Sequence, residues 1–141
     1  MKTLRHLAHA VGSTGSGAPA YRVELDAAQH HLLADEPVTA GGGDVGPTPL
    51  GLLASSLAAC TAMTLRMYAA HKGWELANIT VEVSYDIDES EQASIRRTIT
   101  VPPSFSDDQR DRLADIATRT PVTLAIGTPI TTTVETGPAT T

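Results

Sequence analysis

From Pro49 to Lys72 the chain reads Pro-Leu-Gly-Leu-Leu-Ala-Ser-Ser-Leu-Ala-Ala-Cys-Thr-Ala-Met-Thr-Leu-Arg-Met-Tyr-Ala-Ala-His-Lys, its longest apolar stretch. A helix this apolar has little surface suited to water, so the fold must cover it on nearly all sides. Both ends are signalled. Thr48 suits the N-cap position with Pro49 at N1, and a basic last turn leads to Gly73 at C′. Ser55, Ser56, Thr61, Thr64 and Arg66 interrupt the run, and Gly-Pro and Lys-Gly bound it, which favours a buried core helix over a membrane span. One subunit offers only a few short strands to cover such a helix, so the sequence predicts an obligate homodimer.

At 141 residues the chain is expected to be one domain, able to bury a core without disulfides or metal. Gly12 to Pro19 reads as a flexible loop between a short first strand and a second one over Ala20 to Leu25, where apolar and polar residues alternate. Gln29 to Ala34 continues the meander, and Ala40 to Pro47 interrupts regular structure as a flexible lead into the helix. Past Gly73, Ile79, Val81, Val83, Tyr85 and Ile87 fall on one face of a strand. Ile95, Arg97, Ile99 and Val101 repeat the alternation less cleanly, with a charge among the apolar positions. Ser106-Asp-Asp-Gln109 is a capping box that opens an amphipathic helix to about Thr118, with Leu113, Ile116 and Ala117 inward. Pro121 ends it, Val122 to Ile126 forms one more turn, Ile130 to Glu135 alternates as a final strand, and residues 137–141 are a frayed tail.

Cys60 is the only cysteine, and it lies in the middle of the apolar run. Residues four apart share a helix face, so Ser56, Cys60 and Thr64 form one stripe, with Leu53, Leu57, Met63 and Met67 beside it. A free cysteine is most often a small buried hydrophobe. A thiol of ordinary pKa, about 8.5, is only a few per cent thiolate at neutral pH, so reactivity requires a cation from another segment or subunit. Arg66 is turned about 120° away on the same helix and does not supply it.

Other constellations carry less. His6 and His9, or His30 and His31, point to opposite faces of extended chain, so no metal is expected. The glycine-rich run before Thr48 lacks the Gly-Lys-Ser/Thr of a phosphate loop. A net charge of -6 argues against nucleic acid as a partner. The N-terminus lacks the unbroken apolar core of a secretion signal and the lone cysteine offers no disulfide framework, so the cytoplasm is expected, with no membrane partner.

Taken in order, His30-His-Leu-Leu-Ala-Asp-Glu-Pro37, Gly42-Gly-Asp-Val-Gly-Pro-Thr-Pro49, Leu57-Ala-Ala-Cys-Thr-Ala-Met-Thr-Leu-Arg-Met-Tyr-Ala69 and Lys72-Gly-Trp74 resemble the OsmC/Ohr family of osmotically inducible and organic hydroperoxide resistance proteins. The resemblance runs from about Tyr21 to Glu135. It implies an α+β, OsmC-like subunit: a long central helix and a second helix packed against antiparallel sheets, in an intertwined homodimer with active sites at the subunit interface. Cys60 then matches the peroxidatic cysteine, and Arg22 lies in the broad region from which relatives bring the thiolate-stabilising arginine. Ser56, Met63, Thr64 and Met67, with Leu50, become candidates for a substrate pocket. The chain departs from the family where relatives carry a second, resolving cysteine, because Thr120 stands there, and no acid follows Pro49. The reading implied is a peroxidase that reduces organic hydroperoxides through Cys60 with an external thiol reductant and no cofactor. Its alternative is a non-redox protein of the same fold that binds or transforms a small hydrophobic molecule at the dimer interface.

Overall fold

The apolar run folds as one continuous helix, α1 (Pro49–Lys72), in a computed structural model that describes residues 3–17, 20–76 and 78–127. Thr48 caps it as its sequence position requires: Thr48 Oγ1 accepts the Gly51 N–H at 3.0 Å and the Thr48 carbonyl accepts the Leu52 N–H at 2.9 Å. At the other end Gly73 takes φ 73°, a left-handed conformation, and Trp74 N–H closes on the Ala69 carbonyl at 2.8 Å. The chain forms two compact units, one up to Leu52 and the other from Leu53, and α1 runs from the first into the second.

In the first unit, β1 (Ala10–Thr14), β2 (Val23–Ala27) and β3 (His30–Ala34) make an antiparallel sheet in that order. Gly12, Ser13 and Thr14 belong to β1 rather than to the flexible loop expected from Gly12. They pair with Leu25, Glu24 and Val23, and this ladder outweighs their loop-like composition. Gly12 also serves packing, since a Cβ there would lie 3.1 Å from the Leu25 side chain.

The glycine-rich lead into α1 is organised around one side chain. The buried carboxylate of Asp35 accepts three backbone N–H groups, from Glu36 at 2.8 Å, Gly43 at 3.0 Å and Val45 at 3.2 Å. Asp35 N–H in turn donates to the Pro47 carbonyl at 3.1 Å. Gly42 and Gly46 are needed because a Cβ would fall 2.0 Å from the Glu36 carbonyl oxygen at the first and 2.3 Å from that of Leu33 at the second. Burial pushes the Asp35 carboxyl up, but the N–H groups of Glu36, Val45 and Gly43 and the charge of Arg22 outweigh it and hold the group below its ordinary 3.8. A carboxyl depressed in the folded state stabilises fully above its unfolded pKa and loses that contribution as pH falls through the folded value. Protease cleavage within residues 36–46 is therefore expected to accelerate only below the ordinary carboxylate range, and Asp35→Asn is expected to show the fast rate already at pH 7. Equal cleavage rates for the two proteins at pH 7 would remove this role for Asp35.

In the second unit, β4 (Thr80–Ile87) and β5 (Ala93–Thr100) form an antiparallel hairpin, followed by α2 (Asp107–Ala117) and the short α3 (Pro121–Ala125). The capping box is complete: Gln109 N–H donates to Ser106 Oγ at 3.1 Å, and Ser106 N–H donates to Gln109 Oε1 at 2.9 Å. Leu65 and Ala69 of α1, Leu76, Phe105 and Leu113 of α2 form the core, with Trp74, Ile99 and Val101 packed against it. Truncating Leu65 or Leu113 to Ala is the kind of core change that costs about 2–5 kcal/mol.

Only Leu57, Thr61, Leu65 and Ala69, a stripe four residues apart, are buried along α1, while Leu50, Leu53, Met63 and Met67 are exposed. Among the described residues, the hairpin and α2 reach a single face of the helix. By length and composition alone α1 is apolar enough to cross a membrane. Its buried stripe and the polar bonds made at Thr61 are those of a packed helix. The expected strand over Ile130 to Glu135 and the tail over residues 137–141 lie outside the described residues.

Candidate functional site

Cys60 is a free thiol, half-buried, one position along α1 from the fully buried Thr61. Successive helix residues are rotated by about 100°, so Cys60 sits at the border between the packed stripe and the uncovered face. Thr64, one turn on, is half-buried and Ser56, one turn back, is exposed. Leu53, Ser56, Cys60, Met63, Met67 and Ala70 follow the three-and-four spacing of a helix seam, and Met63 and Met67 are 63% and 66% exposed on it. Cys60 occupies the middle of that seam.

Beneath the helix lies a polar network that motif reading did not identify. Arg97 extends from β5 and donates from Nη1 to Thr61 Oγ1 at 3.1 Å and to Thr123 Oγ1 at 3.0 Å, and from Nη2 to the Ala117 carbonyl at 2.8 Å. Thr61 Oγ1 also donates to the Leu57 carbonyl of its own helix at 2.7 Å. Thr123 Oγ1 shares a hydrogen bond with Thr120 Oγ1 at 2.7 Å. One guanidinium thus joins the helix that carries Cys60 to the end of α2 and to α3. Because α2 has no basic residue in its last turn, the bond to Ala117 also places positive charge where the helix dipole favours it.

Thr120, the position matched to the resolving cysteine, is fully buried at the N-cap of α3 and two hydrogen bonds removed from Arg97. Arg22 and Leu50 belong to the first unit. Arg22 is exposed on β2's N-terminal flank and paired with Glu24 at 3.3 Å, and Leu50 is 50% exposed in the first turn of α1. Arg97 carries a signal that was visible: it is a charge at an inward position of an alternating strand, and such a charge is kept only where partners await it.

The family model described as OsmC-like protein matches residues 41–135. No curated protein matches the chain. Among solved structures, the chain is similar to the organic hydroperoxide resistance protein OhrB of Bacillus subtilis, at 22% identity and a TM-score of 0.60 over 86% of this chain and 91% of that one. It is similar to an OsmC like protein from Mycoplasma pneumoniae, at 16% identity and 0.67 over 87% and 89%. A third is an organic hydroperoxide resistance protein OsmC from Legionella pneumophila, at 18% and 0.63 over 89% and 92%. At these identities the likeness is one of fold, and the fold is the α+β, OsmC-like one expected from the motifs.

Proposed function

The chain belongs to the OsmC family, and from that premise we propose that it is a thiol-dependent peroxidase that reduces organic hydroperoxides through Cys60. The observation that carries the reading is the position of Cys60: a lone half-buried thiol at the centre of an apolar helix seam, where an alkyl hydroperoxide has both a nucleophile and an apolar surface. The thiolate attacks the terminal peroxide oxygen, the O–O bond breaks, and the alkoxide leaves and takes a proton to become the alcohol. Cys60 is left as a sulfenic acid. A first external thiol condenses with it, releasing water, and a second displaces the resulting mixed disulfide and restores the thiol. The chain holds no other cysteine, so both reducing equivalents come from outside, which suits a cytoplasmic protein.

Arg22 is the proposed cation for the thiolate, and its exposed surface pair with Glu24 leaves it able to be redirected. Arg97 is a positioning residue: its bond to Thr61 fixes the turn of α1 on which Cys60 sits. Ser56, Met63, Thr64 and Met67, with Leu50 as the resemblance suggests, receive the alkyl group. Turnover of cumene hydroperoxide with dithiothreitol tests the reading, with Cys60→Ser expected to abolish it. Turnover that persists in Cys60→Ser would end it.

A second copy of this chain covers the exposed face of α1 in a homodimer and leaves the Cys60 pocket open at the subunit interface. An apolar seam of this length left in water favours association, and Met63 and Met67 would line the interface pocket on pairing. Sedimentation at micromolar concentration should show a dimer, and Met67→Glu should shift it to monomer. A folded wild-type monomer at that concentration would contradict this assembly.

A further inference from the structure

Between β5 and α2, on the second unit, Arg97, Ile99, Val101, Arg110, Leu113 and Ala114 line a pocket of about 240 Å³. Its walls are aliphatic apart from two guanidinium groups, and the two differ in what already holds them. Arg110 donates to the Phe105 carbonyl at 2.8 Å and is paired with the carboxylate of Asp107. Arg97 has only neutral acceptors, two threonine hydroxyls and one carbonyl, and forms no ion pair among the described residues.

A guanidinium has five N–H donors in a fixed plane. Thr123 Oγ1 and the Ala117 carbonyl oxygen lie 3.3 Å apart and take one hydrogen each from Nη1 and Nη2, which accounts for the end-on fork. Thr61 takes the remaining Nη1 hydrogen. What is left is Nε–H and one Nη2–H, and these point the same way as a side-on fork with the spacing of a carboxylate's two oxygens. A half-buried cation with a complete fork unused among the described residues, in the wall of a pocket otherwise lined by Ile99, Val101, Leu113 and Ala114, matches an anion that carries an apolar body. A small inorganic anion would leave the aliphatic walls wet, and a neutral apolar molecule would bury the fork without a partner.

We infer that this pocket binds a small amphipathic carboxylate, its two oxygens bridging Nε and Nη2 of Arg97 and its hydrocarbon part against Ile99, Val101 and Leu113. A volume of this size has room for about ten non-hydrogen atoms, the size of a medium-chain fatty acid. The site does not depend on the chemistry at Cys60. Among the described residues the link between the two is Thr61, which Arg97 holds on the cysteine's helix.

Calorimetric titration of the full chain with octanoate, octan-1-ol and inorganic phosphate tests the assignment. Octanoate should saturate one site per chain with a dissociation constant on the order of 10⁻⁴ to 10⁻³ M, as expected for a ligand this small. The alcohol, lacking the charge, and phosphate, lacking the chain, should each bind at least tenfold more weakly. Arg97→Lys should weaken octanoate about tenfold, because an ammonium cannot form the fork. Ala114→Phe, at an exposed position of α2 that leaves the core intact, should abolish binding by filling the pocket. It carries the test if Arg97→Lys does not fold. Octanoate binding that survives Ala114→Phe, fails to saturate, or is matched by octan-1-ol or by phosphate overturns the inference.

Discussion

Thr120→Cys should turn this one-cysteine chain into a two-cysteine one: on treatment with an alkyl hydroperoxide, the variant is expected to form a disulfide between Cys60 and the introduced thiol. Thr120 is fully buried and reaches Thr61, the neighbour of Cys60, through hydrogen bonds of 2.7, 3.0 and 3.1 Å by way of Thr123 and Arg97. The substitution itself is mild. It removes one hydroxyl bond, worth about 1 kcal/mol, and leaves Thr123 still held by Arg97 and Ala117. A sulfenic acid at Cys60 then has an internal thiol to condense with, so turnover with a dithiol rises well above that of the parent and overoxidation to sulfinic acid falls. Adding Leu50→Glu, which returns a carboxylate to the first turn of α1, should raise turnover further. The bridge requires Cα atoms within roughly 7 Å. A folded variant that accumulates sulfinic acid and no disulfide would show that the pocket has diverged from a two-cysteine arrangement.

Two arginines are expected to fail in opposite ways. Arg97→Met removes three hydrogen bonds from a charged donor to buried and half-buried groups, and should cost about 2–4 kcal/mol of stability in urea denaturation. Arg22→Met breaks only a surface pair with Glu24 and should change stability by less than about 0.5 kcal/mol. Its effect belongs to kcat/KM, where losing the cation proposed for the thiolate is expected to cost on the order of 10²-fold. If Arg22→Met keeps full activity and Arg97→Met loses it in the part that remains folded, then Arg97 supplies the cation as well as the positioning.

Much of this frame is legible in the sequence itself. The caps of α1 and α2 depend on a few adjacent residues, Thr48 and Gly73 in one case and Ser106 and Gln109 in the other, so their geometry follows from local sequence. The edge of β1 did not, because Gly12 to Thr14 are strand only through pairing with β2, a contact that composition does not report. The same holds for the loop before α1: glycines read as freedom, yet Asp35 pins them through N–H groups eight and ten residues away. The network at Arg97 was half visible. Its inward register on β5 could be counted, but its partners Thr61, Ala117 and Thr123 come from three separate helices and converge only in the folded chain. The uncovered seam of α1 could likewise be read as a demand for cover, while which face the single chain satisfies emerged only from the packing of Leu65 and Ala69.

The peroxidatic role proposed for Cys60 is tested most directly by mass spectrometry of the reduced protein after one equivalent of cumene hydroperoxide. The account predicts one oxygen added at Cys60, an equal amount of cumyl alcohol released, and complete reversal by dithiothreitol. Hydroperoxide left unconsumed while Cys60 stays an unmodified thiol would contradict it.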